Sequence, residues 1–179
     1  NQIKQIEKLV NEFSDFARMP KPTLRNNDLI EILNENIKLL KQMDPTIEIK
    51  ITSNKESILL NCDKEQLSRV FLNLIKNSIE SIQEKKLISE VLEKRISIQL
   101  FDKNDHIQII VLDNGIGFKN IRENIKEILN PYFTTKKEGT GLGLSIVNKI
   151  ISDHNGSIKF LHMNNGAKIE ITFNIENDS

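Results

Sequence analysis

The chain has seven glycines, and none comes before residue 115. Five of them fall in two short stretches, VLDNGIGF (Val111 to Phe118) and EGTGLGL (Glu138 to Leu144). Glycine weakens helices and strands, but it lets the backbone take positive φ or admit a close neighbour. This chain concentrates that freedom in two loops. Gly156 and Gly166 are accounted for by a helix stop and a hairpin turn. VLDNGIGF is an apolar strand entering Asp-Asn-Gly, a step that favours a tight hairpin. A second glycine two residues on, with no apolar strand directly after it, allows another reading, the floor of a pocket. EGTGLGL runs straight into a helical pattern. Free N–H groups and the positive dipole end of such a helix form an anion site. A tight loop entering a helix explains the same residues equally well. No Lys-Ser or Lys-Thr follows the glycines, so this is not a P-loop. It does not follow a first strand, so it is not a dinucleotide fingerprint either.

Periodicity places these loops in a fold. Residues 2–18 read as a helix with one seam through Ile3, Val10 and Ala17 and a second through Ile6 and Phe13, widened by Leu9 and Phe16. The spacing of seven is that of a bundle or coiled-coil helix. An ordinary amphipathic helix packed on its own domain is the alternative. MPKPT (Met19 to Thr23) then makes a stiff, extended connector and a domain boundary. A second helix is expected over about 28–43, with Leu29, Leu33, Ile37 and Leu40 on one face. Strands are expected at 47–52 and 57–62. Asp63, three residues before Gln66, is a capping-box start for a long helix to about Glu84. Residues 85–95 are charged and ambiguous. Strands at 96–101 and 106–113 come before VLDNGIGF ends. A weak helix and a loop occupy 118–140, a helix runs from about 142 to 154, and a hairpin of 157–163 and 167–175 closes the chain. The expected fold is α+β: a two-layer α/β sandwich, with a mixed, mostly antiparallel sheet of about five strands covered on one face by helices and preceded by a bundle-type helix.

The long helix carries FLNLIKNSIESI (Phe71 to Ile82). At 100° per residue, Leu67, Val70, Phe71, Leu74, Ser78 and Ile82 share one face. Gln66, Arg69, Asn73, Asn77 and Glu80 lie along the other. Asparagine is a poor helix former, and Asn73 and Asn77 stand one turn apart. A solvated polar face would explain them. So would an amide oxygen ligating a hard cation such as Mg²⁺, which draws its remaining ligands from phosphates and water.

Bulk properties narrow the classes. With 38% hydrophobic and 28% charged residues, a globular chain is expected. Lys plus Arg and Asp plus Glu number 25 each, which gives no electrostatic case for nucleic acid. Cys62 is the single cysteine, so there is no internal disulfide and no cysteine-based metal cluster. No apolar run approaches the ~20 residues that cross a bilayer. The chain opens on Asn1 and is expected to be part of something longer.

The order of the motifs is more specific than any one of them. An NxxxN helix, then DNGIG, then PYFTTK (Pro131 to Lys136), then GTGLGL resembles the ATP-binding domain of sensor histidine kinases. Those kinases share this fold with gyrase, heat-shock chaperone and mismatch-repair ATPases. The resemblance covers about residues 26–175. EFSDFARMPKP (Glu12 to Pro22) resembles the second helix of the dimerisation domain in nitrogen-regulation sensor kinases, with its linker. The implied division is residues 1–22 for that helix and linker and 23–179 for the catalytic domain.

The resemblance implies ATP and Mg²⁺ as ligands. Asn77 would be the metal ligand, and Asn73 would line the same face. Hydrolytic relatives carry a water-activating glutamate at the place of Asn73, and an amide cannot act as that base. Asp113 would accept a hydrogen bond from the adenine amino group, with Gly115 and Gly117 letting the chain pass close to the base. Residues 118–140 would be a lid pinned by Tyr132 and Phe133. Thr134, Thr135 and Lys136 would stand near the phosphates, with Lys136 or Lys137 supplying charge. Gly139, Thr140, Gly141, Leu142 and Gly143 would cradle the phosphates. Glu80 departs from kinases that carry a basic residue there, and Lys76 is the available substitute. The phosphoacceptor histidine is expected upstream of Asn1, because His106, His154 and His162 lack the setting of an acceptor. Implied partners are a response-regulator receiver domain, the chain's own upstream phosphoacceptor helix and a second copy through residues 2–18. A cytoplasmic domain is implied, in a parent that is a candidate for anchorage in the inner membrane. A nucleotide-gated interaction module and an ATP hydrolase are the rival readings.

Overall fold

The computed structural model describes residues 2–88, 93–118, 125–134 and 139–175. The elements run α1 (Gln2–Ala17), β1 (Arg25–Asp28), α2 (Leu29–Met43), β2 (Ile47–Ser53), β3 (Leu59–Cys62), α3 (Lys64–Ile88), β4 (Lys94–Asp102), β5 (His106–Asp113), a short 3-10 helix (Ile125–Leu129), α4 (Gly143–Asp153), β6 (Gly156–His162) and β7 (Ala167–Asn174). Five strands pair in the order β2-β4-β5-β7-β6, parallel between β2 and β4 and antiparallel elsewhere. Helices α2, α3 and α4 cover one face. This is the mixed five-stranded sheet and two-layer sandwich expected from the sequence.

The alternation along the strands sets which face is covered. Ile96, Ile98 and Leu100 of β4, Ile107, Ile109 and Val111 of β5, and Ile169, Ile171 and Phe173 of β7 all point inward and are buried. They meet Leu29, Ile32 and Leu33 of α2, Leu67, Val70, Phe71, Leu74 and Ile82 of α3, and Ile146, Val147 and Ile150 of α4. Burial of so many branched side chains is the dominant favourable contribution to folding.

The structure departs from the sequence expectations in three places. Residues 57–62 do not join the main sheet: β3 is shorter, and it pairs antiparallel with β1, Arg25 opposite Cys62, in a separate two-stranded sheet. The sequence RNND shows no apolar alternation, so β1 has no signature; it forms through its ladder with β3, and Asp28 at its end caps α2, accepting from Ile30 N (2.9 Å) and from Ile58 N (3.2 Å). The left-handed residue that ends α4 is Asn155 (φ 56°), and Gly156 instead opens β6. The third departure is at the capping box of α3. Asp63 Oδ1 does accept from Gln66 N (3.1 Å). The reciprocal bond is missing, because the Gln66 amide donates to Pro20 O (3.0 Å) and Asp63 N donates to His154 Nε2 (3.0 Å).

On α1, Ile3 is 80% exposed, and Ile6, Val10 and Phe13 follow it along the same exposed seam. No helix among the described residues is long and apolar enough to cross a membrane.

Asp44, at the end of α2, pairs with Lys94 Nζ of β4 at 2.6 Å. That bond, with those from Thr46, lowers its carboxyl from 3.8 to about 2. A lowered pKa contributes stability above the unfolded value that is lost as pH falls through the folded one. In an acid titration followed by circular dichroism, Asp44→Asn should flatten the loss of stability between pH 3.8 and about 2.

Candidate functional site

α3 builds the site because its two sides differ. Ser78 sits on the apolar side, 2% exposed, and hydrogen-bonds the carboxylate of Asp113. Asp113 ends β5, only 8% exposed. Its Oδ1 accepts from Gly115 N (2.9 Å) and Ala167 N (3.3 Å). Burial raises its carboxyl pKa above 3.8, and the bonds from Gly115, Ser78 and Ala167 oppose that rise.

The Asp-Asn-Gly stretch does not reverse the sheet. Asn114 is tied to the start of β4, its Oδ1 accepting from Arg95 N (3.0 Å) and its Nδ2 donating to Glu93 O (2.8 Å). The loop is then held down by α3. Ser81 Oγ accepts from Ile116 N (3.1 Å), and Lys85 Nζ donates to Asn114 O (2.8 Å) and to Asn165 Oδ1. Lys85 thus joins this loop to the β6–β7 hairpin. Gly166 in that hairpin has φ 98°, and a Cβ there would overlap the carbonyl oxygen of Asp113. It is more than a turn residue: it lets the hairpin lie against the Asp113 backbone. Ser78, Ser81, Lys85 and Gly166 were missed by sequence reasoning. The signal within reach was Ser78, a hydroxyl in an otherwise apolar stripe.

The cavity above Asp113 has a volume of about 500 Å³. Asn73 and Asn77 line it from α3, with Lys76, Glu80 and Glu84. Gly117, Thr134, Gly139, Thr140, Gly141 and Gly143 line it from the loops, and Phe133, Phe160 and Ile169 supply apolar wall. Gly115 packs against Ser81 and lies behind this surface. Leu142 is fully buried in the core and contributes backbone as the N-cap residue of α4. Thr135, Lys136 and Lys137 lie outside the described residues.

Leu142 offers no side-chain acceptor, so among the described residues α4 has no side-chain cap from its N-cap position. Its first N–H groups start at the cavity wall, where an anion would satisfy them. Asn73 Nδ2 donates to Arg69 O (2.9 Å), and its Oδ1 faces Gly143, 3.2 Å from where a Cβ would stand. α3 and α4 are therefore antiparallel, with Asn73 beside the start of α4 and Asp63 beside its end. Gly141, at φ 70°, passes so close to Tyr132 that a Cβ would overlap its backbone. Tyr132 N donates to Gly141 O (3.0 Å). Of the two expected lid anchors, Phe133 packs on the core, while Tyr132 is 55% exposed and stacks on Phe13 of α1 with ring centroids 6.4 Å apart.

Residues 62–177 match the family described as histidine kinase-, DNA gyrase B- and HSP90-like ATPase. The chain belongs to this ATPase family. A putative NtrY-like sensor histidine kinase of Rickettsia bellii is 34% identical over 172 residues, which are 96% of this chain and 27% of that protein. The chain thus spans about a quarter of the length of that relative. The solved catalytic domain of histidine kinase ThkA is 27% identical, with a TM-score of 0.73 over 84% of this chain and 95% of its own. The structure of ThkA in complex with the response regulator protein TrrA shares the fold, with a TM-score of 0.77 at 23% identity over 97% of this chain and 48% of that one. ATP is the substrate of an ATPase domain of this family. The apolar wall, the buried carboxylate and the uncapped helix are the parts of the ATPase fold that face one cavity.

Gly166→Ala should destabilise the domain by about 2 kcal/mol or more, because a positive φ and a backbone overlap coincide. Gly143→Ala meets only the Asn73 amide at 3.2 Å and should cost much less. Urea unfolding of the two variants, side by side, measures the difference.

Proposed function

We propose that residues 23–179 are the Mg–ATP-binding catalytic domain of a sensor histidine kinase of the nitrogen-regulation type, and that residues 1–22 are the second helix of its dimerisation domain with the linker. One observation carries this: a single cavity is faced by the Asp113 carboxylate, the Asn77 side chain and the uncapped start of α4. In this reading Asp113 accepts from the adenine amino group. Gly115 and Gly117 keep the loop low enough for the base to lie on it. The backbone of Gly139 to Gly143, with Thr134, Thr135 and Lys136, surrounds the triphosphate.

Among the described residues no three His, Cys, Asp or Glu side chains converge to hold a metal. The cavity offers neutral amide oxygen, which suits a hard cation whose other ligands are phosphate and water. The residues therefore fit a Mg²⁺ that arrives with the nucleotide. Asn77 would hold it, and the ion would offset charge on the phosphates. Phosphoryl transfer of this kind needs positioning and charge neutralisation from the domain. Asn73 has no titratable carboxylate, and its amide is engaged with Arg69 O. With no base at that place, transfer to a protein acceptor is favoured over hydrolysis.

The acceptor is a histidine upstream of Asn1, for relay to an aspartate of a response regulator. The assembly of the similar ThkA with TrrA supports that partner. His106 is paired with Asp105 (2.6 Å), and His154 is buried between Ile150 O and Asp63 N. The exposed seam of α1 supports a homodimer through residues 2–18, beside the upstream helix. A cytoplasmic placement, in a parent anchored in the inner membrane, completes the proposal. The stacking of Tyr132 on Phe13 favours a second reading, in which nucleotide binding reorganises the α1 interface without turnover.

Asp113→Asn should weaken binding of a non-hydrolysable ATP analogue about tenfold or more, by replacing an acceptor with a donor. Wild-type affinity should fall on acidification, starting above pH 3.8 because burial raises the Asp113 pKa. Asn77→Ala should abolish the Mg²⁺ dependence measured by calorimetry. Incubation with γ-labelled ATP should leave His106, His154 and His162 unlabelled; extending the chain to include the upstream helix should produce label there, and its absence would favour the second reading.

A further inference from the structure

The end of α3 remote from the cavity holds a set of bonds that the nucleotide reading does not use. Asp63 Oδ2 accepts from Thr23 N (2.8 Å), a residue of the connector. Gln66 Nε2 donates to Pro20 O of the same connector (3.0 Å). Asp63 N donates to His154 Nε2 (3.0 Å), and His154 Nδ1 is 2.7 Å from Ile150 O. An imidazole that accepts at Nε2 donates at Nδ1, so one tautomer of a neutral ring satisfies both neighbours. His154 is 7% exposed. It clamps the last turn of α4 to the first residue before α3. The clamp lies about 15 Å from Asn73, counting ten residues of helix at about 1.5 Å each. At the other end of the same two helices stand Asn73 and Gly143, at the cavity wall.

We propose that His154, Asp63 and Gln66 are positioning residues that couple the connector to the nucleotide cavity. This rests on the reading of the cavity as an ATP site and extends it. α3 and α4 are antiparallel, joined at one end by His154 and closely approached at the other, where Asn73 Oδ1 stands 3.2 Å from the place a Cβ on Gly143 would take. A change in their spacing at the cavity is felt at the clamp, since packed helices shift as units. The connector sits on that clamp through Thr23 and Pro20. Its seat is also near energetic balance. Docking it makes two hydrogen bonds, but Gln66 Oε1 is buried with no partner among the described residues. A stranded buried acceptor costs about as much as one or two such bonds contribute. A seat of this kind releases under a small bias. Nucleotide that draws α3 and α4 together strengthens the seat, and a connector displaced by its upstream helix weakens nucleotide binding in turn.

Reciprocity supplies the test. Hydrogen exchange of the 179-residue chain is followed on the peptide covering residues 19–28, with and without a non-hydrolysable ATP analogue and Mg²⁺. Analogue affinity is measured in parallel on wild type and on Thr23→Pro, which removes the connector's donor without touching core or cavity. The analogue should slow exchange at Thr23 about threefold or more, and Thr23→Pro should weaken the analogue by about the same factor, because linked equilibria share one coupling constant. His154→Phe fills the same space but cannot accept from Asp63 N; it should abolish the effect of analogue on connector exchange. A merely structural histidine would lower the melting temperature and leave that exchange ratio unchanged. Analogue binding in Thr23→Pro within about twofold of wild type, with no change in connector exchange, overturns the coupling alone. If the analogue does not bind wild type, the reading of the cavity falls, and the coupling falls with it.

Discussion

The antiparallel packing of α3 on α4, above a sheet whose inner face is almost wholly branched aliphatic, is the constraint on which the rest depends. α3 has 25 residues and two different sides. Its apolar side must bury Leu67, Val70, Phe71, Leu74 and Ile82 against the sheet, which fixes the rotation of the helix about its axis. That rotation leaves Asn73 facing the start of α4 and Asn77 at the cavity wall. It also directs Ser78, Ser81 and Lys85 at the loop after β5. One rotational choice, made by core burial, therefore sets the floor and the wall of the cavity together.

The floor is held with unusual care for a loop. Asp113 is a carboxylate removed from water, which is unfavourable unless hydrogen bonds replace the lost solvent. The amides of Gly115 and Ala167 and the hydroxyl of Ser78 provide that replacement. Their donors come from three places in the chain: the loop itself, the closing hairpin and α3. The site is assembled only when the sheet is complete, because the β6–β7 hairpin delivers Gly166 and Ala167. The uncapped α4 contributes the opposite character. Its N-cap position holds no side-chain acceptor, which suits its first amides to an anion, and that position is a leucine whose burial anchors the helix instead.

Local patterns were legible where one physical rule dominated. The sheet, the covering helices and the long capped helix followed from period and from Asp63. The lining of the cavity by Asn73, Asn77, Asp113 and most of the loop glycines follows the order of the motifs. Rules failed where a distant partner outcompeted a local one. The capping box at Asp63 and Gln66 is only half made, because His154, 91 positions away, takes the Asp63 amide. β1 has no strand pattern and exists through its ladder with β3. Gly156 looked like the helix stop, but Asn155 tolerates the left-handed conformation and takes that role.

By itself, the sequence determined most of the helices and strands, which face of each is apolar, and that five of the seven glycines crowd into two loops. These are short-range consequences of side-chain shape and period. That Asp-Asn-Gly is a floor and not a turn was implied by the order of the motifs; only the tertiary structure decided that Gly166 lies against Asp113, that Lys85 ties two loops, and that His154 joins the ends of two helices to the connector. Those outcomes depend on which buried polar groups meet across long separations in the chain. Hydrogen-bond demand in a low-dielectric interior settles that, and no local pattern encodes it.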